Sequence, residues 1–453
     1  MKHNTAKWIF LLLAAGAFTL MGGTPQTLKI DCERDSREYR KGETARFFLD
    51  VKDEEGKSVA GSRIKCVIRT ETGRKEQFLT SGNEPVSLEV TQNIPGSCSF
   101  EAEVLDGNGK CLKNKLNKLV RNGSGAAFSL EELVQGYPEE TDFETFWQAK
   151  KKELAAVPMK VEYKDVDLKK WANGGLKSFE GKIVVKDVKI SCSGKLPVTG
   201  YFAMPAKAAE KTLPIVIVYQ PYGVRSSSVQ AKYAQKCLVL DVNANGLENG
   251  REASFYRELA NGPLKHYFFF GNKDRETSYF KDMYLRALRA LEFMKSRPEW
   301  NGKDVIVTGY SQGGAQALAV AGLDESVTIV AATCPALCDL GGALAGRRSG
   351  WIMPSEAWRK KGGKLTENGM KIIRTASYVD NANFAKRIKA EVYFSSGDYD
   401  TVCPMASVYV AYKNVPGKKS FTILKNAGHW AMNPEGEKRI WSIIDSCAAG
   451  GKK

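Results

Sequence analysis

Histidine is scarce in this sequence: His3, His266 and His429 are its whole complement among 453 residues. That scarcity excludes a histidine-rich metal centre, and no His/Cys/Asp/Glu constellation at ligand spacing takes its place. A Gly-rich phosphate loop of the P-loop or dinucleotide type is also lacking. No metal and no cofactor is therefore expected. Low-complexity tracts are missing too. The one long apolar stretch, Trp8 to Met21, is short for a membrane span, which needs about 20 residues.

What stands at the N-terminus is a basic end with Lys2 and Lys7, that apolar stretch, and then small residues. The order is that of a secretory signal, expected over residues 1–23, with export to the periplasm or the medium and no stable membrane insertion once it is cut; an uncleaved anchor is the lesser alternative. No cysteine follows it at a lipoprotein-like position. The formal net charge is +16. Its lysines and arginines are scattered, with no stripe of interleaved aromatics, so a solvated surface is expected and nucleic acid is not. Among ten cysteines, Cys334 and Cys338 form neither a redox pair nor half of a zinc site. Cys66 and Cys98 fall in two strand-like segments and could bridge two sheets.

The chain is longer than one hydrophobic core usually covers. Residues 24–120 alternate apolar and polar, as in "ARFFLDVKD" and "SCSFEAEVLD", between turns such as "DEEGK" and "DGNGK". This pattern predicts an immunoglobulin-like antiparallel β-sandwich. "RNGSGAA" at 121–127 has the composition of a linker. From 128 to 453 the grammar changes. A helix is predicted over "FETFWQAKKKEL", with Thr141 and Glu144 in a capping-box pattern. Buried-strand runs such as "LPIVIVYQ" and "DVIVTG" then alternate with helices, which predicts a doubly wound, mostly parallel sheet of the α/β-hydrolase kind.

Within that part, Gly309-Tyr310-Ser311-Gln312-Gly313 fits G-x-S-x-G between a strand and a small-residue helix. Side chains flanking the serine would strike neighbouring backbone, so glycines stand there. A serine needs a base, and few histidines compete. His3 lies in the expected signal, and His266 precedes the serine in a loop-like segment that packs or lines a rim. His429 follows the strand "SFTILKN", where the order Ser, acid, His places the base. "GDYD" supplies Asp398 and Asp400 for the acid, and the spacing favours Asp400. Two backbone N–H groups are needed for an oxyanion. Gln312 and Tyr222 are the candidates.

"GYSQGGAQALAVAGLD", "SGDYDTVCP" and "NAGH" resemble the acetyl xylan esterase / cephalosporin-C deacetylase family. "DFETFW", "PALCD" and "SYVDNANFAKRIKAEVYF" extend the likeness from about residue 128 to the end. The resemblance implies deacetylation of small esters, acetylated xylo-oligosaccharides above all, through Ser311, Asp400 and His429; family members often form hexameric rings. This sequence departs from the pattern in three places. Asn243-Ala244-Asn245 stands for the usual RGQ, Gln220-Pro221-Tyr222 for HGY, and Trp430 for the Glu after the histidine. The altered loops leave room for longer acyl or aryl esters, an amide, or acyl transfer. A catalytically inert sugar-binding protein, stacking sugars on Trp351, Trp358 and Trp430, is the non-enzymatic alternative.

Overall fold

The computed structural model describes residues 23–169, 171, 175–352 and 365–450. Residues 1–22 of the expected export signal, and Trp358, lie outside the described residues.

The first strands are β1 (Thr27–Cys32), β2 (Glu38–Tyr39), β3 (Thr44–Lys52), β4 (Arg63–Arg69), β5 (Arg74–Thr80), β6 (Val86–Thr91), β7 (Gly96–Val104) and β8 (Arg121–Phe128). They form two sheets, ordered β1-β3-β6 and β2-β8-β7-β4-β5. Alternation decides which face is buried: Leu28 and Ile30 of β1 and Phe47, Leu49 and Val51 of β3 point inward. They meet Ile64, Ile68 and Phe100 of the other sheet in one core, with the Phe47 and Phe100 rings 4.9 Å apart. The expected sandwich is present. Except for the short parallel pair β2/β8, its strand pairs are antiparallel.

Two expectations for this region need correction. Residues 121–127 are not a linker: they belong to β8, paired along β7 from Gly96↔Phe128 to Glu103↔Arg121. Their glycines allow close approach by another part of the chain, as described below. Cys66 and Cys98 do not bridge two sheets. They sit on adjacent strands of one sheet, opposite Ala102 and Ala126, and all ten cysteines are free thiols.

The second set of strands is β9 (Val161–Asp165), β10 (Ile183–Ile190), β11 (Val198–Pro205), β12 (Leu213–Tyr219), β13 (Leu238–Val242), β14 (Trp300–Tyr310), β15 (Ile329–Thr333), β16 (Glu391–Gly397) and β17 (Lys419–Leu424). Among the described residues they build one sheet ordered β17-β16-β15-β14-β12-β13-β11-β10-β9. β12 to β17 run parallel, and β9 to β11 add antiparallel pairs at one edge. The parallel strands are buried on both faces, which is why "LPIVIVY" reads as a continuous apolar run. Ile215 and Ile217 face the helices Tyr279–Lys295 and Gln312–Leu323, whereas Val216 faces Ile440 and Ile444 of Pro434–Gly450. This is the α/β-hydrolase architecture.

The helix Phe143–Ala155 forms as the sequence predicts, but not with the predicted cap. Asp142 is its N-cap and makes no side-chain cap bond. Glu144 is drawn away by Arg387 Nε, which donates to it at 2.6 Å, and by Gln148 at 2.8 Å. A charge-assisted bond to Arg outweighs a local one to a backbone N–H.

Candidate active site

β14 ends at Tyr310, and the helix Gln312–Leu323 starts directly after Ser311. Ser311 therefore has no room for an ordinary turn: its φ is 56° and ψ −120°, outside the regions where a side-chain-bearing residue rests comfortably. Close approach explains the flanking glycines. A Cβ at Gly309 would lie 2.3 Å from the Gly313 carbonyl carbon, and one at Gly313 would lie 2.2 Å from the Tyr219 carbonyl oxygen. The strain is held by bonds from Ser311 N to the Thr333 carbonyl (2.8 Å) and from Ala336 N to the Ser311 carbonyl (3.0 Å).

The three side chains singled out in the sequence meet above the carboxyl ends of the strands. Ser311 Oγ lies 2.9 Å from His429 Nε2, and His429 Nδ1 lies 2.8 Å from Asp400 Oδ2. The other carboxylate oxygen of Asp400 accepts from Val402 N and Cys403 N, both at 2.8 Å, which fixes its rotamer. Asp400 and Ser311 are buried. The Tyr310 hydroxyl donates to the His429 carbonyl and so anchors the loop behind the ring. With its Nδ1–H given to Asp400, the imidazole presents Nε2 as an acceptor for the serine proton, the arrangement that makes an alcohol nucleophilic.

The two backbone N–H groups that the sequence offers for an oxyanion are both unspent. Neither Tyr222 N nor Gln312 N donates to an acceptor among the described residues. Gln312 starts a helix, where N–H groups have no intrahelical partner and the dipole favours negative charge. Its side chain is fixed by the Tyr267 hydroxyl, which donates to Oε1 at 2.7 Å. The Tyr222 loop is tied down by Asn243, Asn245 and Gln220. Asn243 Nδ2 donates to the Arg225 carbonyl at 2.9 Å, Asn245 Nδ2 to the Gly223 carbonyl at 2.7 Å, and Gln220 Nε2 to the Ser226 carbonyl at 2.9 Å. The rings of Tyr222 and Trp351 pack edge to face, 5.4 Å apart, and Phe268 lies 5.1 Å from the same indole. His266 is exposed on that rim, against Phe268.

Asp398, the other carboxylate of "GDYD", makes no bond to the imidazole. It is 2 % exposed and accepts from Asn426 N (3.0 Å), Ala427 N (3.1 Å) and the Ser124 hydroxyl (3.0 Å). Burial pushes its carboxyl up to about 6, against those hydrogen bonds and the nearby charge of Arg37. Arg37 lies between the two domains. Its guanidinium donates to Ser124 Oγ at 2.8 Å and to Asn426 Oδ1 at 3.2 Å, with Nε 3.9 Å from Asp398. The glycines of β8 let this happen: a Cβ at Gly125 would fall 1.9 Å from the Asp398 carbonyl oxygen, and one at Gly123 would fall 2.5 Å from the Tyr399 ring. Sequence reasoning missed Arg37, Ser124 and Asn426. The available signal was two glycines in the small-residue stretch "RNGSGAAF", since glycine within a strand marks close backbone approach.

A model of the family described as acetyl xylan esterase matches residues 126–445. The acetyl esterase Axe7A of Xylanibacter ruminicola is 30% identical over 313 residues, 67% of this chain and 66% of its own length, so the match leaves about a third of that relative uncovered. Two solved structures share the fold. An acetyl xylan esterase from Paenibacillus sp. R4 aligns with a TM-score of 0.58 at 24% identity, over 70% of this chain and 98% of its own. Acetyl xylan esterase 1 from Thermoanaerobacterium sp. JW/SL YS485 gives 0.58 at 21%, over 70% and 97%.

Proposed function

The chain belongs to the acetyl xylan esterase family, a family of carboxylic ester hydrolases, and from that premise we propose that it is an exported serine esterase removing acetyl groups from xylo-oligosaccharides. The observation that carries this reading is the continuous hydrogen-bonded line from Ser311 through His429 to Asp400, at 2.9 and 2.8 Å.

In this mechanism His429 Nε2 takes the Ser311 proton as Oγ attacks the acetyl carbonyl carbon. The carbonyl oxygen becomes an oxyanion beside the N–H groups of Tyr222 and Gln312. Asp400 keeps the imidazole in one tautomer and stabilises the imidazolium. When the tetrahedral species collapses, the C–O bond to the sugar breaks and His429 returns its proton to the departing sugar oxygen. Water, activated by the same imidazole, then attacks the acetyl-enzyme; acetate leaves and Ser311 regains its proton. The aromatic wall of Tyr222, Phe268 and Trp351 supports a small acyl group. The basic, apolar N-terminal stretch supports export.

The test is acetate release from acetylated xylo-oligosaccharides, compared with p-nitrophenyl esters of increasing acyl length. The reading expects acetate release from the sugar and rates falling about tenfold or more for each added methylene or two, the discrimination a small pocket provides. A preference for longer acyl chains, with no acetate released from carbohydrate, contradicts it.

A further inference from the structure

Beside the triad a cavity of about 490 Å³ opens between the two domains. Arg121 and Asn122 of the sandwich line one side, Tyr399 and Thr401 of the acid loop another, and His429 and Trp430 the third. Its volume is in the range that holds a small ligand. Trp430 is 86% exposed, unusual for so large an apolar side chain. One face stacks on Tyr310, with centroids 5.6 Å apart and planes 20° off parallel. The other face is left uncovered. Tyr399 is held between Gly123 and Gly428, where Cβ atoms would fall 2.5 and 3.0 Å from its ring.

The polar groups of this wall differ in what they have left to give. Glu101 is paired with Arg69 at 2.8 Å, and Asn122 donates its amide to the Leu28 carbonyl at 3.0 Å. Arg121 is exposed, its charge lies near Tyr399 and Cys111, and its guanidinium makes no hydrogen bond or ion pair with the described residues. The cavity thus borders one largely exposed indole, stacked on Tyr310, and one exposed guanidinium with donors to give. A sugar ring presents the complement: an apolar C–H face for stacking and hydroxyl acceptors around its edge.

Reaction chemistry fixes which end of a substrate reaches this cavity. His429 must hand its proton to the departing sugar oxygen, so the sugar lies on the imidazole side of the acyl carbon. We propose that the sandwich and the His429 loop together form a carbohydrate subsite. Trp430 is its stacking platform and Arg121 its hydrogen-bond donor, binding sugar residues next to the one that carries the acetyl ester. The proposal rests on the esterase reading and deepens it: the N-terminal domain and Trp430 are what select an oligosaccharide over an acetylated monosaccharide.

The experiment measures kcat/KM on acetylated xylotetraose, acetylated xylose and p-nitrophenyl acetate for the full chain, Trp430→Ala and Arg121→Gln. Binding of unacetylated xylotetraose to Ser311→Ala is followed in parallel by calorimetry, with and without the Trp430 change. The full chain is expected to favour the tetraose over xylose by about tenfold or more. Trp430→Ala should remove most of that preference through KM, as loss of a stacked aromatic anchor does, and Arg121→Gln about a third of it on a logarithmic scale. The calorimetric binding should weaken with Trp430→Ala. An unchanged tetraose-to-xylose ratio in Trp430→Ala, in an enzyme that still releases acetate from sugars, overturns the subsite and leaves the esterase reading standing. Hydrolysis of p-nitrophenyl acetate with no release from any sugar overturns the carbohydrate reading and the subsite with it.

Discussion

The two halves of the site are held by different parts of the chain. Ser311, Gln312 and Tyr222 are fixed from within the α/β domain, by glycine contacts, the Thr333 carbonyl and the Asn243, Asn245 and Gln220 amides. The Asp400 and His429 loops have bonds inside that domain, from Val402 N, Cys403 N and the Tyr310 hydroxyl, and are gripped from outside it as well. Asp398 and Asn426 each bond to residues of the sandwich, and Asn426 Nδ2 also donates to the Ile30 carbonyl at 2.8 Å. A similar arrangement holds the segment after β15: Glu71 of the sandwich accepts from Arg348 N at 2.8 Å, and Arg348 donates to Ser99 Oγ at 3.2 Å. A strained turn on a parallel sheet needs only its own sheet and helix. Two long loops that must align a carboxylate and an imidazole gain from a rigid neighbour, and here the neighbour is a second domain.

The largest predicted effect separates chemistry from bracing. Ser311→Ala should lower kcat on p-nitrophenyl acetate by about 10⁴-fold or more. Its Tm should stay equal to or above that of the wild type, since a residue is relieved of function rather than of packing. Calorimetry alongside the assay checks both.

Gly125→Val should come next. Its side chain meets the Asp398 carbonyl, backbone that cannot step aside, so the sandwich must shift away from the acid loop. A drop in kcat of about 10- to 100-fold is expected, the scale that misplacement of a catalytic group carries, together with a lower Tm. Labelling of Ser311 by a fluorophosphonate should slow by the same factor. Normal kinetics in a folded Gly125→Val chain would mean that the sandwich does not brace the acid–base half.

A smaller effect lies in pH. Burial raises Asp398 to about 6, so between the ordinary carboxyl range and that value the folded chain keeps a proton the unfolded chain has lost. This group's stabilising share is therefore present at acidic pH and declines as pH rises toward 6. Asp241, raised to about 6, and Asp380, raised to about 7, act in the same direction within the α/β domain. Arg37 is the charged group facing Asp398 and limits its shift. Tm followed from pH 4.5 to 8 should fall less steeply in Asp398→Asn than in the wild type, by about a few degrees over the range. An unchanged slope would show that Asp398 does not titrate in this window.

The geometry around Ser311 was legible because its cues are local. A strand, two glycines and a small-residue helix surround Ser311 within a dozen positions, and chain order then pointed to His429 and Asp400. Much of what surrounds Asp400 and His429 was not, because its contacts span hundreds of residues. Arg37 and Asn426 are far apart in sequence, and Gly123 and Gly125 looked like a flexible joint until Tyr399 and Asp398 were seen against them. The same cause defeated the capping box at Thr141, where distant Arg387 took Glu144. Asp398 and Asp400 differ by two positions and by everything around them: one faces the imidazole, the other the sandwich.

Whether Ser311 carries the acyl group is the claim beneath all of this. Rapid mixing with p-nitrophenyl acetate, acid quench and peptide mass spectrometry should find one acetyl group per chain on the peptide containing Ser311. The acetyl should appear in step with a burst of nitrophenol and be absent from Ser311→Ala. An acetyl group trapped on a different residue, or undiminished turnover by Ser311→Ala, would contradict the account.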